Sequence, residues 1–492
     1  MSAARGGALL SLAFVAVGLG NYAFTLGLAH LLAPDAFGLA MLVQSFLLFA
    51  SWFASSGFPW STARRMGGLA DRSERASVLR GALLGNLILT TALGALLIAS
   101  LAMGTLKLGN QPGTPVVLGA AACSLLGLSA AGKGGLQGIL NLTSVAAANL
   151  LEVATKLAVG LVLAATGFGA VGAAAGILSG TAAASLFTLA ALRRHHLLGA
   201  RNWPSWHFYA ETLPVFAAMG GLALLTSLDV FAVKVLSPVS TSNTAVALYQ
   251  VAVTIARIPY FFGSAITTAI FPHIARNRAE PALCALYLRK AVLYVLTFLT
   301  PVGLTFFLAP RSALLFFFPA SYLPAAPALR VLSLGGVAMA VAAVLMGALQ
   351  AAGMLKAAAL SAAGAVAVEL VFLAVAIPLS LSKGQGVMLV ATAAVFDTVM
   401  VLLVSLLLVV AARRFFRWRP RPRAVLALAV AAAAFAAVFT LMPHDGRIQL
   451  VLAVAIAFAV YALFVVALGV LSKGDLATLK GLGPRRRAAP QA

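Results

Sequence analysis

Apolar runs of about 20 residues, the length an α-helix needs to cross a hydrocarbon layer of about 30 Å, recur from one end of the chain to the other, beginning with GALLSLAFVAVGLGNYAFTLGLAHLL. Inside hydrocarbon every backbone N–H and C=O must be satisfied within the protein, so the spanning structures are helices or closed barrels. Barrel strands alternate apolar and polar residues over short segments. These runs are instead solid Leu, Ala, Val and Gly, which predicts an all-α integral membrane protein. Composition agrees: 62% of residues are hydrophobic and 9% charged, where soluble domains carry about 25% charged residues. No stretch between the runs is long enough for a soluble domain. The first run is longer than a signal-peptide core and ends without a small-residue cleavage motif, so it is expected to remain as the first helix.

The runs predict fourteen helices, over 8–32, 36–61, 81–106, 115–138, 142–166, 168–192, 208–236, 242–272, 286–309, 325–350, 354–380, 386–411, 424–442 and 449–471. With the loops assigned to alternate sides, 26 Lys and Arg fall on one side, among them Lys133 and the five Arg of segment 62–80, and four (Lys107, Arg311, Lys383, Arg447) on the other. Basic loops stay cytoplasmic, which places both termini there. The same bias accounts for the net charge of +23, and the blocks RRFFRWRPRPR and RRR are assigned to anionic lipid headgroups rather than nucleic acid. Trp60, Trp203, Trp206 and Trp418, near helix ends, suit the interfacial aromatic belt.

Charged and polar residues inside the runs mark candidate functional positions, because hydrocarbon rejects them unless they face protein or water. The richest stretch is Leu225 to Arg278, which holds Asp229, Lys234 and Arg257. Gln250, Thr254, Arg257, Ser264 and Thr268 fall at steps of four, three, seven and four, a spacing that gathers them on one helix face. Elsewhere the runs contain Lys156 and Arg330, the acids Glu152, Glu369 and Asp397, and the mid-helix amides Asn21 and Gln44. Glu152 and Lys156 have the favourable i, i+4 order for a pair within one helix. Whether they lock the helix or meet a ligand stays open. Asp229 and Lys234 stand about 140° apart around a helix, so each needs another partner. Arg257 has two readings: a structural pair with Asp229, or a cavity cation whose forked donors suit phosphate. Glu369 and Asp397 are candidate ion-coupling acids.

An internal repeat is visible in LLAP and FPWSTARR (31–34, 58–65) against VLSP and FPHIARNR (235–238, 271–278). It suggests two six-helix halves, 1–200 and 201–412, followed by 413–492 with two further helices and a basic tail. Duplicated halves around a midplane site are a common plan for alternating-access transporters. These segments, with LLAPDAFGLAMLVQSF and TSLDVFAVKVLSP…ALYQVA…IARIPYF, resemble the polysaccharide flippases of the multidrug/oligosaccharidyl-lipid/polysaccharide exporter (MOP) superfamily, the Wzx-like proteins of bacterial inner membranes. The resemblance implies two six-helix lobes around a central cavity. It also implies an undecaprenyl-diphosphate-linked oligosaccharide as the partner, moved from the cytoplasmic to the periplasmic leaflet for surface polysaccharide such as O-antigen, alongside a polysaccharide polymerase. A cation-coupled drug exporter or a lipid II flippase of the same superfamily is the alternative.

No enzyme is expected. GLSAAGKG (127–134) nearly spells a phosphate-binding loop, but Gly134 stands where a hydroxyl is needed and the run follows no strand. A membrane-embedded glycosyltransferase or polymerase would carry acids in a large outer loop, and the longest one, about 310–324, has none. Cys123, within a helix, and Cys284, in a loop, form no disulfide framework, and the six His show no metal-ligand spacing. Neither cofactor nor metal is expected, and transport energy would come from a proton or sodium gradient or from consumption of the substrate on the far side. The charge bias makes a first prediction: cysteine placed at Ser240 reacts with an impermeant thiol reagent added outside the cell, and cysteine placed at Ser73 does not. Reversed labelling would invert the assigned orientation.

Overall fold

The computed structural model describes residues 3–199, 202–210, 212, 227–354, 364, 366–371, 373–375, 378, 388–417 and 422–470. Among these residues the secondary structure is helical throughout. In chain order the helices are α1 (Ala3–Leu31), α2 (Pro34–Ser56), α3 (Phe58–Gly68), α4 (Arg72–Ala102), α5 (Thr114–Gly138), α6 (Leu142–Leu163) and α7 (Gly169–Arg194). After residues outside the description come α8 (Leu228–Leu236), α9 (Ser242–Ala256), α10 (Ile258–Arg276), α11 (Pro281–Leu308) and α12 (Pro310–Phe317). A 3₁₀ turn, Ala320–Ala325, leads into α13 (Ala326–Ala351), and α14 (Met388–Phe416), α15 (Pro422–Leu441) and α16 (Arg447–Ala467) complete the chain.

Among the described residues ten stretches are long and apolar enough to cross a membrane, and the protein is a multi-pass membrane protein. The fourteen expected spans reconcile with these ten in simple ways. Spans 208–236 and 354–380 fall largely outside the described residues. The pair 142–166 and 168–192 forms one continuous stretch, Leu142–Arg194, whose two helices turn at Gly167 and Gly169, with φ of +100° and +54°, a region open chiefly to glycine. The span expected at 242–272 is divided.

That division corrects the sequence reading. α9 ends at Ala256, Arg257 caps the next helix, and Pro259 sits in the first turn of α10. Proline lacks the N–H donor and its ring clashes with the carbonyl four residues back, so the run from Gln250 to Thr268 is not one uninterrupted helix. The side chains of Ser264 and Thr268 lie outside those described, as does Trp418. Other boundaries move as well. α4 begins at Arg72, well before residue 81, because the Asp71 carboxylate accepts hydrogen bonds from the N–H groups of Ser73 and Glu74 at 3.3 and 3.1 Å and caps the helix. The arginine-rich segment 62–80 is thus mostly helix, and the segment 310–324 is α12 and the 3₁₀ turn. Cys284 is buried within α11, not in a loop.

The helices divide into two compact units: Met1–Ile255 with Phe317–Leu332 and Met354–Val404, and Ala256–Phe316 with Ser333–Gly353 and Ser405–Ala492. In the first unit α6 packs on α1 and α7, and α5 packs on α2, α3, α4 and α7. Lipid is as apolar as leucine, so close backbone approach through small residues has to hold such helices together. α6 and α7 meet through glycine: a Cβ on Gly176 would lie 2.3 Å from the Gly160 Cα, and one on Gly180 2.5 Å from the Glu152 carbonyl oxygen. α5 meets α3 in the same way, where a Cβ on Gly134 would lie 2.5 Å from the Pro59 Cα. In the second unit α15 and α16 pack on each other and on α11. The ring of Phe435 meets Tyr461 edge-on at 6.3 Å, and the Tyr461 hydroxyl donates to the Thr297 carbonyl at 2.8 Å. Exposed Leu12, Phe14, Val15 and Leu19 on α1 face lipid.

Gly176→Leu is expected to lower the amount of protein in the membrane several-fold, since it overpacks a backbone contact at a cost of about 1–3 kcal/mol or more. Gly18→Leu, at a position with nothing within 4 Å of the added carbon, is expected to leave the amount unchanged. Quantifying both variants in isolated membranes checks the packing.

Candidate functional site

Helices of the first unit carry their mid-helix polar residues in i, i+4 pairs, Asn21 and Thr25 on α1, Glu152 and Lys156 on α6, Gln250 and Thr254 on α9, and that spacing stacks each pair on one face. The structure joins these faces into a polar seam. The Lys156 ammonium donates to Asn21 Oδ1 and stands 4.7 Å from the centroid of the Phe24 ring. Thr25 Oγ1 donates to the Asn21 carbonyl at 3.1 Å and accepts from Gln44 Nε2 at the limiting distance of 3.5 Å. Beside Gln44, Ser45 Oγ donates to Gln250 Oε1 at 3.3 Å. Thr254 Oγ1 donates to the Gln250 carbonyl at 2.7 Å, and the Tyr22 hydroxyl donates to the Thr254 carbonyl at 2.6 Å, returning the chain of contacts to α1. The buried Gln44 Oε1 has no hydrogen-bond partner among the described residues, an arrangement that costs about 1–3 kcal/mol unless something accepted from the site satisfies it.

Glu152 and Lys156 do not form the intrahelical pair that their spacing suggested. Glu152 accepts from Lys133 of α5 at 2.8 Å, with the two side chains 27% and 16% exposed. The ammonium of Lys156 turns to α1. Lys133 is a functional candidate that the sequence reading did not name: it lies inside the span expected at 115–138 but was counted only among the cytoplasmic cations, and it sits five residues before the end of α5 at Gly138. Its position within that apolar span was the available signal. Across Lys133, Glu152 and Lys156 the seam carries a net charge of +1.

Of the candidates named from sequence, the seam brings together Asn21, Gln44, Glu152, Lys156, Gln250 and Thr254, and adds Tyr22, Thr25, Ser45 and Lys133. The others lie elsewhere. Asp229 is fully buried, accepting from the Tyr249 hydroxyl at 2.7 Å and from the Val230 N–H at 2.8 Å. Lys234 is also fully buried, donating to Ser242 Oγ at 3.0 Å and to Asn243 Oδ1. It belongs to a polar tie at one end of the unit, where Asn243 Nδ2 donates to the Leu108 carbonyl at 2.7 Å, Lys107 Nζ to the Ser237 carbonyl at 3.0 Å, and Gln111 Nε2 to Asp35 Oδ2 at 2.7 Å. Glycine makes the tie possible: a Cβ on Gly38 would lie 1.8 Å from the Asn243 carbonyl oxygen. Arg330 is exposed on α13, and Glu369 and Asp397 are buried. Arg257 belongs to the second unit, where it is half-buried at the N-terminus of α10.

Ionisable and amide groups gathered between helices in an apolar bundle are costly in lipid and make the seam the candidate functional site; the architecture is that of a multi-pass helical membrane protein. The chain belongs to the polysaccharide biosynthesis protein family, whose family pattern matches residues 3–278. Its fold is similar to that of the lipid II flippase MurJ in an inward closed conformation, with a TM-score of 0.72 and 15% identity over 95% of this chain and 99% of that one. It is also similar to a multidrug resistance MATE-family transporter of the MOP superfamily in an inward-facing conformation, with a TM-score of 0.63 and 16% identity over 82% and 96% of the two chains. A MOP superfamily transporter from Pyrococcus furiosus shares the fold at a TM-score of 0.56 and 16% identity, over 84% and 95%. No curated protein matches significantly.

Breaking the Lys133–Glu152 pair from one side orphans a charge inside the bundle. Lys133→Met and Glu152→Gln are each expected to destabilise the protein by about 1–3 kcal/mol, below the 3–5 kcal/mol of a fully buried pair because water still reaches this one. Combining the two substitutions should return the thermal unfolding midpoint of the purified protein close to that of the parent.

Proposed function

We propose that the protein is a flippase carrying an undecaprenyl-diphosphate-linked oligosaccharide from the cytoplasmic to the periplasmic leaflet of a bacterial inner membrane, for surface polysaccharide synthesis. The observation that carries this reading is the net-cationic polar seam, in which Lys156 is held by an amide and an aromatic ring while Glu152 is taken up by Lys133. Such a site suits a large anionic headgroup: the ammonium attracts the diphosphate, and Gln44, Ser45, Gln250 and Thr254 offer hydrogen bonds that apolar walls cannot. Membership of the polysaccharide biosynthesis family supports a glycan-bearing substrate over a drug.

In this proposal Arg257 is a second phosphate ligand. Its forked guanidinium suits phosphate oxygens, and it stands at the N-terminus of α10. Lys234 and Asp229 serve the fold, and Arg330, exposed on α13, reaches the headgroup at the rim. Glu369 and Asp397 are the acids proposed to take up a coupling proton or sodium ion. The halves 1–200 and 201–412 are proposed as the lobes that alternate in access, with both termini cytoplasmic, and a polysaccharide polymerase as the consumer of the product. Flipping makes and breaks no covalent bond, so no catalytic residue is assigned.

Deleting the gene is expected to trap lipid-linked oligosaccharide on the cytoplasmic leaflet and abolish surface polysaccharide. Restoring Lys156→Met should leave transport at least tenfold below the parent with protein present in the membrane. Normal surface polysaccharide in the deletion strain, joined by new drug sensitivity, would establish the exporter instead.

A further inference from the structure

We propose that a cavity on the arginine-rich face of the first unit is a carbohydrate subsite, holding uncharged or amino sugar residues against Trp203. The assignment of its natural ligand as the glycan of the transported lipid rests on the flippase reading; the sugar chemistry of the cavity does not. The space is about 720 Å³ and is lined by Arg65, Asp71, Glu74, Asn202, Trp203 and Ser205, among others. Ligand sites occupy about 300–1,000 Å³.

Its walls are built by packing. A Cβ on Gly81 of α4 would lie 2.4 Å from Pro204 Cγ, so the absence of a side chain there lets the segment Asn202–Pro204 lie directly on the helix. Phe208, fully buried, anchors the segment further along through Phe58 of α3, with ring centroids 6.0 Å apart. The Arg80 guanidinium stacks on the Trp203 ring at 4.4 Å, fixing the indole plane, while the residue remains 58% exposed. A flat indole held in this way offers an apolar surface for the C–H face of a pyranose. The tryptophan assigned from sequence to the interfacial belt therefore has a second employment, whereas Trp206, 81% exposed, keeps the first.

The polar lining decides which ligand fits. Asp71 and Glu74 are balanced by Arg65, whose guanidinium also lies over the Phe208 ring at 5.6 Å, and by Arg80 on the Trp203 ring. A lining without net positive charge gives phosphate and lipid headgroup anions no electrostatic advantage over a sugar. The Glu74 carboxylate accepts no hydrogen bond among the described residues, its backbone N–H being the group that serves the Asp71 cap. Together with the Asn202 amide and the Ser205 hydroxyl, it gives the cavity that Trp203 lines both acceptors and donors for sugar hydroxyls.

The test is saturation-transfer NMR on the purified full-length protein in nanodiscs of uncharged lipid, with the N-acetylglucosamine disaccharide and cellobiose as probes. Saturation should reach the ring C–H protons of at least one disaccharide, fall at least fivefold in Trp203→Leu and Glu74→Gln, and stay within twofold in Trp203→Phe. Absence of transfer in the parent, equal transfer in parent and Trp203→Leu at matched thermal stability, or displacement of the sugar by inorganic pyrophosphate would each overturn the proposal. The measurement reads no transport, so its failure leaves the flippase reading standing. Normal surface polysaccharide in the deletion strain would remove the flippase and leave the sugar subsite in place.

Discussion

Helices in hydrocarbon gain nothing from expelling water between them, so the first unit depends on how closely their backbones can approach. The contact of α6 with α7 at Gly160 and Gly176, and of α5 with α3 at Gly134 and Pro59, leave no room for a β-carbon. These approaches fix where α6 lies, and thereby where Lys156 can reach. With side chains at the glycine positions, α6 would stand off from α7, and the Lys156 contact with Asn21 on α1 would be displaced with it.

The polar seam is the counterpart of that tight packing. A charge in a bilayer interior costs at least about 2.5 kcal/mol by insertion scales, and the first unit meets the cost by sharing. Lys133 neutralises Glu152 across two helices, and Lys156 is solvated by an amide oxygen and the negative face of an aromatic ring. A cation–π contact of this kind is worth about 2 kcal/mol when desolvated. The result holds one more positive charge than negative while keeping each ion in polar or aromatic contact. Lys234 shows the other use of a buried cation, tying the turn between α8 and α9 into the connection that leads to α5.

Much of the architecture was legible because hydrophobic length is a one-dimensional property. A run of about 20 apolar residues spans a bilayer whatever its neighbours do, and α1, α2, α5, α6, α7, α11, α13, α15 and α16 lie close to the predicted positions. Capping and kinking were less visible. The Asp71 cap carries α4 beyond the membrane into polar sequence, where hydropathy has no signal, and Pro259 divides a run whose apolar character continues on both sides. At the candidate site, i, i+4 spacing correctly identified which residues share a face, but not which face looks at which. Glu152 is equally spaced for Lys156 and, in space, better placed for Lys133, a residue nineteen positions earlier.

The sequence by itself determined the class: a basic, multi-pass helical membrane protein with its polar residues set at helical intervals, because backbone satisfaction in lipid and the period of the helix are local rules. Only the tertiary structure decided the partners. Asp229 finds Tyr249, Lys234 finds Asn243, Lys156 finds Asn21, and Trp203 finds Arg80 at the rim of a cavity. Close glycine contacts help to set the interhelical distances behind such choices, at Gly176 for Lys156, Gly38 for Lys234 and Gly81 for Trp203, and a linear pattern carries no record of those distances.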